Sequence, residues 1–349
     1  MKGITIIMNN FLTNNTNFIL NTDDFLSHHY HIYIEKQSKY VVKAYEVDFD
    51  SKCQHILSTL GEYFEREILC NVNPIKSKTV NMVSLITGHQ KTVPLHEVIF
   101  NGQFTDSSGM ASHRQSEDII WKAYKEFFER QSFISNFIFQ QKADKIHLTS
   151  TRLLKLEQYI KNYLDEILYF NISLSQNLFV VLSIGWTKER KAAGLGTSRS
   201  LEKAIEKSQK EIMQYFATSS SKENICDSTE CFSKDLYHLY FDSLPVQKFQ
   251  DSFKYLYNTK HIISSDYVSK IPKKSPDEII ANNYNTLSME PYVAMFTVRK
   301  DIGIKVIKIK DFNWFPHLRP ELYSSEIFKN IERKFGWTRK NFDNLLPFI

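Results

Sequence analysis

Two short phrases constrain this chain more than anything else in it. Glu62-Tyr63-Phe64-Glu65-Arg66 and Glu126-Phe127-Phe128-Glu129-Arg130 each set two carboxylates three residues apart, with an arginine after the second. On a helix, positions i and i+3 lie on one face. Two bare carboxylates there repel each other, so helix stability alone does not favour the arrangement. A hard cation such as Mg2+ between them does. Two such helices facing each other would offer four carboxylates around one cavity. One phrase by itself also fits an ordinary amphipathic helix, with aromatic residues in the core and charges in water. The repetition and the surrounding sequence favour a site.

The chain has 349 residues, room for one large domain or two moderate ones. Its hydrophobic fraction of 42% and aromatic fraction of 14% support a substantial core. The net charge of +5 is modest, and basic residues are interleaved with acids. No basic run of the kind used for nucleic acid is present. Cys53, Cys70, Cys226 and Cys231 fit no zinc or redox spacing and read as reduced thiols. The opening MKGITIIMNNFLTNN is too short in apolar length for a signal peptide, and no stretch has the apolar length of a membrane span. A cytoplasmic protein is expected.

Residues 28–49 alternate as strands. Residues 51–70 read as a helix capped by Ser51, with Ile56, Leu57, Leu60, Phe64 and Leu69 as its apolar stripe. A strand over 92–100 is followed by a polar glycine-containing turn, Asn101 to Arg114. A helix over 115–140 begins with Ser116, Glu117 and Asp118, acids suited to a helix N-terminus. Further expectations are a helix over 150–168, a strand pair over 171–186, a turn at Gly194–Thr197 and a helix over 200–216. Residues 217–235 are polar and read as a mobile surface loop. A β-hairpin turns at Asp301 to Gly303, and a helix lies near 323–338. The sum is an α+β chain of mixed and antiparallel sheets flanked by helices, with repeated strand-turn-helix units. One domain is expected over 1–349, its core about 28–321 and its tail 339–349.

GEYFER at 61–66, SSGMASHRQSEDIIWKAYKEFFER at 107–130, GLGTSRSLEKAIEKSQKEIMQ at 194–214 and KVIKIKDFNWFPHLRPE at 305–321, in that order, resemble the YcaO family. The likeness is to the stand-alone cyclodehydratase subunit of microcin-B-like azole and azoline synthetases. It implies a YcaO-type fold around a nucleotide cavity, with ATP and Mg2+ as cofactors. It implies that Glu62, Glu65, Glu126 and Glu129 hold metal, and that Glu62, Ser112, Arg114, Asp118, Arg130, Lys207 and Glu211 serve ATP. Asp118 stands where a glutamate is usual, and Lys207 where many members carry arginine. The turn reads GMASH rather than a run of small residues. The family's proline-rich tail is reduced here to Leu346-Pro347-Phe348-Ile349. By resemblance, Pro347, Phe348 and Ile349 reach back to the active site.

Family members use ATP to activate a peptide backbone amide, cyclising Cys, Ser or Thr onto the preceding carbonyl. The resemblance therefore implies a ribosomal precursor peptide as substrate. With no room for a fused domain ahead of residue 50, it also implies an E1-like, leader-binding partner protein and a flavin-dependent dehydrogenase in the same complex. The residue types agree with such chemistry. Phosphoryl transfer needs positioning and charge neutralisation more than covalent help. Carboxylate-held Mg2+ supplies the neutralisation, and Arg130 and Lys207 add positive charge. No Walker motif is present. His96-Glu97 and His113 are candidate proton carriers, His113 favoured because it lies in the glycine turn; His28, His29 and His31 read as structural or surface groups. A scaffold subunit, or a YcaO enzyme forming thioamide or amidine, remains open at this level.

Overall fold

The computed structural model of the chain describes residues 16–19, 30–36, 42–48, 52–70, 75–100, 104–222, 236–267, 274–299, 303–341 and 345–348. Ser51, Cys226, Cys231 and Ile349 lie outside them, as does 223–235 of the expected loop. Among them are three sheets. β1 (Thr16–Ile19), β2 (Tyr30–Lys36) and β3 (Val42–Asp48) pair antiparallel in that order. The second sheet has the order β10-β9-β8-β7-β11, from β7 (Asp144–His147), β8 (Glu166–Asn171), β9 (Phe179–Trp186), β10 (Lys191–Ser198) and β11 (Ile262–Ser264). Only β11 runs parallel to its neighbour. The third has the order β5-β4-β12-β13-β6 and is antiparallel throughout. Its strands are β4 (Thr79–Ser84), β5 (Gln90–Pro94), β6 (Met110–His113), β12 (Tyr292–Arg299) and β13 (Ile304–Lys310).

Three helices matter most. α1 (Lys52–Leu69) lays Leu60, Phe64 and Ile68, four residues apart, against Met82, Ala294 and Val306 of the third sheet. α2 (Ser116–Phe139) is buried between two sheets. Its Tyr124, Phe128 and Phe137 join Val180, Leu182 and Leu195 of the second sheet and Ile307 and Ile309 of the third in one core. Further along come α3 (Thr151–Ile160) and then α4 (Leu201–Lys222). α4 covers the other face of the second sheet through Ala204, Ile205 and Ile212 on Val181 and Ala192. The short helices α5 (Leu236–Ser243), α6 (Val246–Ser252) and α7 (Lys254–Tyr257) precede α8 (Pro276–Leu287) and α9 (Ser325–Phe335). Ser275 caps α8 by accepting from the Glu278 amide while Glu278 returns the bond.

The α+β reading, the strands within 28–49, helices α1 and α2, and the 291–310 hairpin agree with this structure. Several local readings do not. The strand expected over 92–100 stops at Pro94, which has no N–H to donate. Leu95, Val98 and Ile99 then follow helical spacing and bury themselves in a 3-10 turn and the residues after it. The glycine turn before Arg114 ends in strand β6. The helix expected to 168 ends at Ile160, and β8 follows. Ile167 and Tyr169 face one core and Phe170 the other, so apolar side chains on both faces hid the period-2 signal. The strand pair over 171–186 is the single strand β9. Ser173 donates its hydroxyl to Asn171 Oδ1 and accepts from Val180 N, at 2.5 and 2.7 Å, closing the loop before β9. Residues 217–222 continue helix α4 rather than opening a loop.

Candidate active site

The largest correction is at Gly194-Leu195-Gly196-Thr197, which is no turn but the middle of edge strand β10. A Cβ on Gly194 would lie 2.1 Å from the Ser208 carbonyl oxygen. One on Gly196 would lie 2.1 Å from the Ala204 oxygen and 2.6 Å from the Ser208 nitrogen. The glycines let α4 rest its backbone directly on the strand. Ser183 and Ser208 share a buried hydrogen bond of 2.5 Å across that contact. At the other sheet, Gly61 of α1 meets edge strand β6 closely, and a Cβ there would lie 2.7 Å from Ser112 Oγ.

β6 and β10 are edge strands, so half of their amides point away from the ladder. A glutamate takes one on each. Ser112 N donates to Glu65 Oε1 at 2.7 Å, and Leu195 N donates to Glu211 Oε2 at 2.7 Å. Between them, α2 sends out Glu126, Glu129 and Arg130. Thr197 Oγ1 donates to Glu129 Oε2 at 2.6 Å. Glu65 and Glu129 are buried, each 7% exposed. Glu62 pairs with Arg66 on its own helix at 2.6 Å.

The electrostatics tie these groups together. Burial, then the neighbouring Glu65 and Glu129, push the Glu126 carboxyl well above the usual range, against Arg130 and Lys122. Burial and Glu129 raise Glu211 to about 7. Burial opposes the charge on Arg130, but Glu129, Glu211, Glu126 and Asp106 outweigh it. Lys207 is accessible, and desolvation lowers its pKa despite Glu129. The structure therefore brings Glu65, Glu126, Glu129, Arg130, Lys207, Glu211 and the Ser112 strand into one constellation.

His113 and Arg114 follow Ser112 directly, and Asp118 lies in the first turn of α2. All three are exposed; His113 Nδ1 accepts from Gln115 N at 3.0 Å and lies 4.0 Å from Asp118 Oδ2. Pro347 and Phe348 are buried. The Phe348 ring packs on Phe133, centroids 5.0 Å apart, and beneath the Arg130 guanidinium, 5.2 Å from its carbon. His96 and Glu97 sit in the 3-10 turn, where Glu97 binds Lys310 at 2.7 Å.

Sequence reasoning missed Glu46, Lys122, Lys125 and Thr197. Glu46 of β3 is raised to about 8 by burial, then by Glu62, with Lys210 and Lys122 opposing. Lys122 Nζ bonds Glu65 Oε1 at 3.2 Å. Lys125 is lowered to about 8 by burial and then by Lys207, Lys122 and Arg199. A signal existed for Lys122: Asp118, Lys122, Glu126 and Glu129 follow helical spacing along one face of α2.

A nucleotide held through Mg2+ fits this donor set. Arg130 Nη1 and Ser112 Oγ are buried and make no hydrogen bond in the protein. The acids carry charge that burial disfavours, which a dication relieves. Among the described residues, no three His, Cys, Asp or Glu side chains stand close enough to hold a metal alone. Mg2+ commonly takes one or two carboxylates, with phosphates and water completing its shell, and the spread of acids suits that mode.

The chain matches the family model of YcaO cyclodehydratase, ATP- and Mg2+-binding, over residues 56–310. No curated protein matches it by sequence. Its fold is similar to that of YcaO from Methanopyrus kandleri bound with AMPPCP and Mg2+, at 14% identity, 89% of this chain, 90% of that one and a TM-score of 0.68. It is also similar to the E. coli microcin synthetase McbBCD complex with pro-MccB17 bound, at 16% identity, 96% of both chains and a TM-score of 0.71. A heterocyclase in complex with substrate and cofactor matches at 17% identity over 74% of this chain and 36% of that one, with a TM-score of 0.55. The match over residues 56–310 spans more than two thirds of the chain and contains both glutamate phrases, so the chain belongs to the YcaO family and is an ATP- and Mg2+-dependent cyclodehydratase.

Proposed function

We propose that the protein cyclises Cys, Ser or Thr of a ribosomal precursor peptide onto the preceding backbone carbonyl, giving thiazoline or oxazoline. The observation that carries this is the constellation in which Glu126, Glu129 and Arg130 of α2 stand with Glu65 of α1, bound to the Ser112 amide of β6, and Glu211 of α4, bound to the Leu195 amide of β10. ATP supplies the phosphoryl group that turns the amide oxygen into a leaving group, and Mg2+ neutralises the transferred charge.

The chain's residues do the rest. Glu65, Glu126 and Glu129, with Glu62 at the edge, hold metal. Arg130, fixed between Glu129 and Phe348, aims its unpartnered Nη1 at phosphate. Ser112 offers a buried hydroxyl beside it, and Lys207 adds charge from the accessible side. Glu211 holds the β10 edge and the Lys207 turn in register. His113, with Asp118, and the accessible Arg114 line the way in. His113 is the group we assign to proton transfer, and the buried Pro347 and Phe348 bring the tail beneath Arg130. The peptide arrives with a leader-binding partner of E1-like type, and a flavin-dependent dehydrogenase oxidises the rings in the same cytoplasmic complex. The microcin synthetase complex with bound pro-peptide supports that reading, since its fold covers this chain almost end to end.

The reaction loses one water per ring. Incubation of the purified complex with precursor peptide, ATP and Mg2+, read by mass, is expected to show that loss, dependent on ATP. Sulfide or amine uptake in place of water loss would move the assignment to thioamide or amidine formation. ATP consumption with no mass change would remove the cyclising role.

A further inference from the structure

Lys122 is paired directly with the acid cluster through Glu65. It projects from α2 across to α1, where Nζ lies 3.2 Å from Glu65 Oε1. That same oxygen accepts from Ser112 N at 2.7 Å. The carboxylate is nearly buried, at 10% side-chain exposure, while the lysine side chain is 49% exposed. The charge on Lys122 is favoured first by Glu65 and then, against the cost of burial, by Glu126 and Glu46. Glu65 of α1 thus bonds the ammonium, and acids of α2 and β3 also favour its charge. Lys122 in turn disfavours the charges of Lys125 and Lys207.

We infer that Lys122 is a built-in counter-cation that competes with Mg2+ for the Glu65–Glu126 pair. The inference rests on the reading of those glutamates as metal ligands. A dication taken up by Glu65 would stand too near an ammonium on the same carboxylate for both to stay. The flexible, half-exposed lysine is the member free to move. Its ammonium then swings toward the accessible side, where an incoming phosphate replaces the carboxylate it leaves. Free Mg2+ therefore meets a site already neutralised. Mg2+ arriving with phosphate offers Lys122 a new partner and displaces it readily. The lysine makes metal binding depend on nucleotide.

The test is metal binding without nucleotide, using Mg2+ by calorimetry and Mn2+ by paramagnetic resonance. Lys122→Met is expected to bind the free metal at least about tenfold more tightly than wild type, since a competing charge is gone. Lys122→Arg, which keeps the charge, is expected to match wild type. Melting curves report folding, and Lys122→Gln serves if the methionine variant is unstable. Equal affinity in wild type and the neutral variants overturns the inference. A parallel arm separates it from the reading beneath it. If wild type binds ATP with Mg2+, Glu65→Gln does not, and Lys122→Met leaves metal affinity unchanged, the metal site stands and the role of Lys122 falls. If Glu65→Gln binds ATP and Mg2+ like wild type, both fall.

Discussion

Replacing Gly196 by alanine tests how the site is built. The new Cβ would stand 2.1 Å from the Ala204 carbonyl oxygen, 2.6 Å from the Ser208 nitrogen and 2.8 Å from Lys207 Cβ. Ordinary contact begins near 3.4 Å, so α4 must retreat from β10 by over 1 Å. Two of the three obstructing atoms are backbone and cannot rotate aside. Overpacking of this kind costs about 1–3 kcal/mol, and a rigid backbone obstruction belongs at the upper end. For a chain of this size, that lowers Tm by roughly 6 °C, at about 2 °C per kcal/mol. The same retreat carries Glu211 from the Leu195 amide and Lys207 from Glu129. Losing one charge-assisted contact weakens Mg2+–ATP binding by about tenfold, or 1.4 kcal/mol. Differential scanning fluorimetry and titration calorimetry on the purified variant measure both. A glycine that cradled phosphate in a loop would give a different result: lower nucleotide affinity at unchanged Tm. That outcome, or a Tm within about 1 °C of wild type at unchanged affinity, would refute the close-packing argument.

Three further expectations follow from the same geometry. Glu129→Gln keeps shape but loses charge between Thr197 and Arg130, and calorimetry should show Mg2+–ATP binding at least about tenfold weaker. Glu211 has an ordinary pKa of 4.5 and is raised to about 7 by burial and Glu129, so the folded state holds a proton that the unfolded chain releases across that window. Its contribution therefore destabilises the fold as pH rises from about 4.5 to about 7, and Tm of Glu211→Gln relative to wild type should climb over that range; a flat difference would contradict the burial of its charge. Phe348→Leu keeps an apolar plug but removes the ring beneath Arg130, so it should lower cyclisation several-fold with Tm little changed, whereas unchanged turnover would leave the tail a packing element.

Much of the site was legible because its chemistry is local in sequence. Acid pairs at i and i+3 on aromatic-rich helices mark a face and a charge demand before any fold is known, so spacing and repetition made Glu62, Glu65, Glu126 and Glu129 candidates, and the family resemblance gave them a metal-holding role. Local pattern also carried α1, α2 and the hairpin of β12 and β13. It failed where burial is two-sided, as in β8, because apolar residues on both faces erase alternation. It failed at Gly194–Thr197 because glycine marks a tight turn and a close approach with the same letter, and only the position of α4 tells them apart. Glu46 and Lys122 join the site through β3 and α2, far apart along the chain, and their charges matter only through neighbours that folding supplies. The sequence by itself determined which residues carry charge and which helices carry them. The tertiary structure alone decided which backbone amides at the edges of β6 and β10 those carboxylates hold, because an amide is left unpaired only once its strand has a place at the edge of a sheet.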